Sequence, residues 1–272
     1  MLDVNILASC EIGCGREATV YVVRSGEHNT FDTKTNMSPL YFALRVPRVL
    51  RCVSRYTQTA CGLPRHPHVV HVFAVDGLSG MLLLEYVRGW TLDDELVCDV
   101  MSPRRAVVVI GQVLRGVEHL HKNGLMHGDV NPRNVLVDED GDCKLTDYFV
   151  EPSGCFAVCG APAYLAPEAV RGDAVQASDI WSVGCLMLAV TGRPPWQEAE
   201  VRLEDGSVVD LGCAGALLFH LSCRNIALQG PPEFTSCENS CKCLFFGELV
   251  DVFTTVEERA SASQLLVKNK WC

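Results

Sequence analysis

No hydrophobic run in this chain approaches the roughly 20 residues that a membrane-spanning helix requires. The opening residues, Met1-Leu-Asp-Val-Asn-Ile-Leu-Ala-Ser-Cys10, lack the basic start of a secretory leader. Positive charge is also scarce. Lys and Arg number 23 against 33 Asp and Glu, a formal net charge of -10, which argues against groove-filling nucleic-acid binding. Internal repeats and low-complexity tracts are absent. These absences lead us to expect a cytoplasmic, intracellular protein with no nucleic-acid partner and no membrane partner.

Cysteine, by contrast, is plentiful. Its count of 15 is odd, and without a leader it does not read as a disulfide framework. The tightest group, Cys237, Cys241 and Cys243, lacks the paired two-residue spacing of a zinc ribbon. Together with Cys155 and Cys159 it reads as reduced thiols serving as small core hydrophobes. Hydrophobic residues make up 48% and charged residues 21% of the 272 positions, enough to bury a sizeable core in one large domain or two small lobes.

The first third alternates like sheet. Residues 12–23 run from a glycine turn into a β-branched stretch, Leu40 to Val46 reads as another strand, and residues 69–75 and 81–87 flank turn chemistry at Asp76-Gly-Leu-Ser-Gly80. After Gly89 the period changes. Ile110, Val113, Leu114, Val117 and Leu120 fall at helical spacing, with a stop at Asn123-Gly124. Residues 180–190 are apolar nearly all round, as in a helix buried mid-domain. A hairpin is expected over Val201 to Leu211, and a last helix over Ala260 to Asn269.

The most informative stretch is His127-Gly-Asp-Val-Asn-Pro-Arg-Asn134, followed by Leu145-Thr-Asp147. It sets a carboxylate, an amide five residues on, and a second carboxylate beyond a turn-like Asp138-Glu-Asp-Gly-Asp142. That set suits metal-assisted phosphoryl transfer.

These residues resemble the eukaryotic protein kinase family, whose catalytic loop reads His-Arg-Asp-x-x-x-x-Asn and whose metal motif reads Asp-Phe-Gly. Further pieces follow in family order: Gly13-x-Gly15 with Val20, Ala43-Leu-Arg45, His66-Pro-His-Val-Val70, Leu84-Glu85-Tyr86-Val87, Ala166-Pro-Glu168, Ser178-Asp-Ile-Trp-Ser-Val-Gly184 and Arg259. The segment Gly160 to Glu168 looks like the Ser/Thr type. Ala214 to His220 and Glu257 to Leu266 look like mitogen-activated kinase kinase kinases.

The resemblance implies an α+β, two-lobed protein-kinase-like fold over residues 1–272. An N-terminal antiparallel sheet with one helix would occupy about 8–87, and a larger helical lobe about 88–272. It implies ATP and Mg2+ as cofactors. Asp129 would receive a substrate hydroxyl's proton, and Asn134 and Asp147 would hold magnesium. Ile12, Gly13 and Gly15 would lie over the nucleotide. Val20, Ala43 and Leu136 would sandwich the adenine, and the backbone of Glu85 and Val87 would bond its edge behind Leu84. A buried pair of Glu168 and Arg259 is also implied.

Departures from the family pattern fall on groups that position charge. Arg45 stands where Lys is expected, and it keeps the charge but not a point geometry. Thr57 stands in place of the helix Glu, and residues 51–65 hold no Asp or Glu. Asn131 stands for the catalytic-loop Lys, Gly128 for Arg, Phe149 for Gly, Ala161 for Thr and Ala18 for the third glycine.

Two readings follow. One is a divergent, slow Ser/Thr protein kinase acting on a protein substrate. The alternative is a pseudokinase holding a nucleotide or a signalling partner. A small-molecule phosphotransferase is disfavoured by the Ala-Pro-Glu segment, which receives peptide in the resembled family.

Overall fold

The computed structural model describes residues 6–14, 18–25, 41–49, 53–98, 101–148, 161–193, 195, 200–202, 208–210 and 245–268. The chain divides into two compact units, one built on Met1–Arg88 and the other on Gly89–Tyr148 and Pro152–Cys272.

The first unit is an antiparallel sheet with one short helix. Strands β1 (Ile6–Cys14), β2 (Ala18–Ser25), β3 (Tyr41–Pro47), β4 (Val72–Val75) and β5 (Leu82–Glu85) lie in the order β1-β2-β3-β5-β4. Helix α1 (Arg55–Cys61) precedes β4. The β1–β2 register slips between Glu11 and Gly13, so the hairpin is irregular at its glycine end. One face of the sheet buries Val23, Phe42 and Leu83, with Tyr21, Leu44, Phe73 and Ala74 packed against them. Phe42 and Phe73 meet edge to face, with centroids 5.1 Å apart.

Strand β4 begins at Val72, not at residue 69 as the alternation suggests. A turn accounts for the difference: His68 N–H donates to His66 Nδ1, and Val69 N–H to the His66 carbonyl. Strand β5 likewise closes at Glu85 rather than residue 87. Helix α1 starts at a serine cap, with Ser54 Oγ accepting from Thr57 N–H at 3.2 Å.

In the second unit, β6 (Gly89–Thr91), β7 (Val135–Asp138) and β8 (Cys143–Leu145) form a small antiparallel sheet. Gly89 is required there, because a Cβ would run into the Val137 carbonyl. Helices α2 (Leu92–Cys98) and α3 (Pro103–Lys122) come between β6 and β7 and pack on that sheet, and α4 (Pro167–Val170) and α5 (Gln176–Val190) follow β8 in the chain, α5 against α3. Two short helices, α6 (Phe246–Val252) and α7 (Ala262–Lys268), close the described chain.

Helix α3 is capped by Ser102, carries Pro103 in its first turn, and ends where Gly124 takes φ +76°. Its buried stripe includes Val109, Ile110, Val113, Leu114, Val117 and Leu120. Helix α5 is buried from Ser178 to Val190. It lies so close to the end of α6 that a Cβ on Gly184 would stand 2.5 Å from Val252 Cγ1.

The insert pairs as expected: β9 (Glu200–Arg202) and β10 (Val208–Asp210) are antiparallel, with Val209 opposite Val201. Helix α7 starts two residues later than the periodicity suggests, because Ser261 caps it by exchanging hydrogen bonds with Gln264. The cysteines at 155, 159, 237, 241 and 243 lie outside the described residues. No described helix is long and apolar enough to cross a membrane.

Candidate active site

The loop between α3 and β7 holds the candidate residues Asp129, Asn131 and Asn134 of the second unit. A 3-10 turn over Pro132–Asn134 tightens it, capped by Asn131, whose Oδ1 accepts from Arg133 N–H at 3.0 Å. Two amide side chains converge on one carboxylate. Asn131 Nδ2 donates to Asp129 Oδ1 at 2.7 Å, and Asn134 Nδ2 donates to Asp129 Oδ2 at 2.8 Å. A third donor, Ala161 N–H, reaches Asp129 Oδ1 at 3.3 Å. Burial pushes the Asp129 carboxyl above the ordinary carboxylate range, while neighbouring His127 and the three donors pull the other way.

The backbone of the loop is gripped from below. Asp179, in the first turn of α5 and almost fully buried, accepts from His127 N–H and Gly128 N–H, each at 2.8 Å. His121 Nε2 meets the same carboxylate at 2.7 Å. Gly128 takes φ +77°, a left-handed conformation that costs a glycine little. His127 Nδ1 accepts from Asp129 N–H at 3.2 Å, and its buried Nε2 has no hydrogen-bond partner among the described residues.

Asn134 also links the loop to the next carboxylate, since its carbonyl accepts from Thr146 N–H at 3.0 Å. Asp147, the next residue, holds φ +62°, the one described residue other than glycine with positive φ. Asn134 gives its nitrogen to Asp129, and among the described residues its amide oxygen has no hydrogen bond. The Asn134 amide oxygen and the Asp147 carboxylate, on segments joined by the Thr146 bond, are hard donors of the kind that fits magnesium, which binds through one or two protein oxygens plus substrate phosphates. Among the described residues no group of three or more His, Cys, Asp or Glu could hold a metal without such phosphates.

The remaining candidates sit in or beside the small sheets. Ile12 is 48% exposed on β1 and Gly13 follows it, while Gly15 lies outside the described residues. In the first unit Val20 pairs with Arg45, and buried Ala43 lies between Val22 and Leu84. Arg45 is itself buried. Leu136 lies on β7, between Thr91 and Lys144 of its neighbours.

At the end of β5 part of the main chain is already committed. Glu85 N–H is already committed to the His71 carbonyl at 2.8 Å, and the Glu85 carboxylate accepts from His71 N–H. Val87 is different: among the described residues its main-chain N–H and carbonyl have no partner, which suits an adenine edge.

A family profile described as "Protein kinase domain" matches residues 10–269. This chain belongs to the protein kinase family. Mitogen-activated protein kinase kinase kinase 17 of Arabidopsis thaliana is 39% identical over 136 residues, 47% of this chain and 37% of that protein. Kinase kinase kinase 18 of the same plant is 40% identical over 128 residues, 44% and 38% of the respective chains. Serine/threonine-protein kinase PknB of Mycobacterium tuberculosis is 35% identical over 160 residues, 52% of this chain and 25% of that one. The chain thus spans well under half the length of these relatives.

Several side chains of this kinase domain matter in ways its motifs do not announce. Asp179 lies within a motif legible in the sequence, yet its grip on two main-chain N–H groups carries no mark at positions 127 and 128. His121 stands alone at the end of α3 with no sequence signal. In α1, Thr57 is tied to its own cap, its Oγ1 3.2 Å from Ser54 Oγ, and the first turn holds no acidic residue.

Proposed function

We propose that this kinase domain transfers the γ-phosphate of Mg-ATP to a serine or threonine hydroxyl of a protein, slowly, as one domain over residues 1–272. The observation that carries this reading is the Asp129 carboxylate, held by Asn131, Asn134 and Ala161 N–H. A carboxylate offers about four acceptor positions, and three are taken. The fourth receives the substrate hydroxyl, and Asp129 takes its proton. The raised affinity of this carboxyl for a proton improves it as a base.

Asn134 Oδ1 and Asp147 would hold magnesium, which when bound supplies charge neutralisation at the phosphates. Val87 offers its open main-chain pair to the adenine. Asn131 orients the base but brings no positive charge, so stabilisation of the transferring phosphate falls. Loss of one such charged group typically costs about 3 kcal/mol of transition-state stabilisation, hence the low rate.

A second reading, a pseudokinase that holds a nucleotide or a signalling partner, is favoured by the uncharged cap arrangement at Thr57 and by neutral Asn131. One experiment separates the two. Phosphate transfer from labelled Mg-ATP to generic protein substrates is expected for wild type and lost in Asp129→Asn. Equal signal from both proteins removes the enzyme reading.

A further inference from the structure

Arg133 sits one residue before Asn134, and its backbone is fixed to the candidate base through a single intermediary. Its N–H donates to Asn131 Oδ1 at 3.0 Å, and Asn131 Nδ2 donates to Asp129 Oδ1 at 2.7 Å. The side chain points out of the loop, 79% exposed, and is held from one side. Nε donates to Asp93 Oδ2 of α2 at 3.2 Å, and Asp93 is 43% exposed. Among the described residues the two terminal nitrogens, Nη1 and Nη2, donate to nothing.

The surroundings place this guanidinium beside the route to Asp129. Tyr164 closes a 3-10 turn over Pro162–Tyr164, which begins just after Ala161, the residue whose N–H reaches the Asp129 carboxylate. Asp93 and Arg133 are in contact with each other, and Tyr164 lies within electrostatic reach of both. A polypeptide that brings a hydroxyl to Asp129 carries its flanking residues past them.

An arginine anchored through Nε presents its Nη fork outward, in the planar geometry that grips two oxygens of one anion. The Arg133–Asp93 pair is exposed and therefore weak, so sharing the guanidinium with an incoming anion costs little. General attraction cannot supply the effect, because the chain's formal net charge is -10 and repels acidic peptides at long range. We propose, on the reading that Asp129 serves a hydroxyl acceptor, that Arg133 is a specificity residue whose Nη fork receives an acidic side chain flanking the acceptor in the substrate. The chemistry is a carboxylate or a phosphate, from Asp, Glu or an already phosphorylated residue.

The test uses the whole chain and matched serine peptides with acidic, phosphoserine, neutral or basic flanks. Transfer kinetics and peptide affinity by fluorescence anisotropy are both measured. Wild type is expected to favour an anionic flank over a neutral one by about tenfold, in KM rather than kcat. Comparing acidic with phosphoserine peptides identifies which anion the fork prefers. Arg133→Glu should abolish the preference, and Arg133→Lys should keep only part of it, since lysine has charge without the fork. Wild type indifferent to flanking charge, or Arg133→Glu retaining the preference, overturns the proposal. Should no peptide be phosphorylated, the kinase reading fails by itself and affinity decides the subsite. Anionic peptides bound by wild type and released by Arg133→Glu support it, and equal affinity overturns it.

Discussion

Arg259 Nη1 meets Glu168 Oε1 at 2.5 Å across 91 positions of sequence, with the arginine side chain wholly buried. The pair is fully dressed. Ser178 Oγ donates to the same glutamate oxygen at 2.8 Å, Arg259 Nε donates to the Val252 carbonyl and Nη1 to that of Ala177, and the guanidinium lies 5.2 Å from the Trp181 ring centre. It fastens the start of α4 to the chain beyond α6.

Removing one partner strands the other charge without water. Glu168→Ala is expected to destabilise the protein by about 3–5 kcal/mol, measured by denaturant unfolding, and Glu168→Leu with Arg259→Met to recover much of that loss. Burial raises the Glu168 carboxyl, but the hydrogen bond and charge of Arg259 outweigh it and hold the group below its ordinary value. A depressed carboxyl adds stability that is complete above the ordinary carboxylate range. The contribution is lost as pH falls from there through the folded-state value. The stability gap between wild type and Glu168→Gln should therefore shrink steadily in acid.

The Asp129 carboxyl is shifted the other way, so its effect should appear in kinetics. The acid limb of kcat/KM is expected above the ordinary carboxylate range, because burial opposes ionisation. Asn131→Ala removes a donor that favours the ionised form and should move the limb further toward neutral pH. An unmoved limb would show that another group controls it.

Nucleotide binding should be weak and dependent on magnesium. Among the described residues Val87 keeps an open main-chain pair and Asn134 an open amide oxygen, so calorimetry is expected to show heat with Mg-ATP and much less with ATP alone. In Asn134→Ala the difference between the two titrations should largely vanish.

Transfer should not depend on phosphorylation between Asp147 and Glu168. Gly128 offers no cation to a phosphate in that segment, whose one Ser or Thr is Ser153, a residue outside the described structure. Ser153→Ala is expected to retain wild-type transfer. A large drop without loss of folding would contradict this.

Much of this arrangement is legible in the sequence because it rests on side-chain type and period. The stripe from Val109 to Leu120 defines α3, and the unbroken apolar run defines α5. Asp129, Asn134 and Asp147 stand out by spacing, and the structure joins their segments through the Thr146 bond to Asn134. What escaped is carried largely by main-chain groups. The delayed start of β4 depends on a turn in which the His66 ring and carbonyl accept from His68 N–H and Val69 N–H, and the committed N–H of Glu85 depends on the His71 carbonyl, pairings that alternation does not register. The late start of α7 has a side-chain signature, Ser261 with Gln264, which periodicity alone overlooks.

The grip of Asp179 on two main-chain N–H groups has a consequence for how this domain tolerates change. The shape of the catalytic loop is dictated by a residue anchored in the most buried helix, through atoms that every amino acid except proline possesses. The Arg133 side chain is thereby uncoupled from the path of the chain, and the scaffold accepts new chemistry there without redrawing the loop, whereas position 128 keeps its left-handed φ and Asn131 its cap on Arg133 N–H. Divergence here resembles a change of tools in a fixed holder.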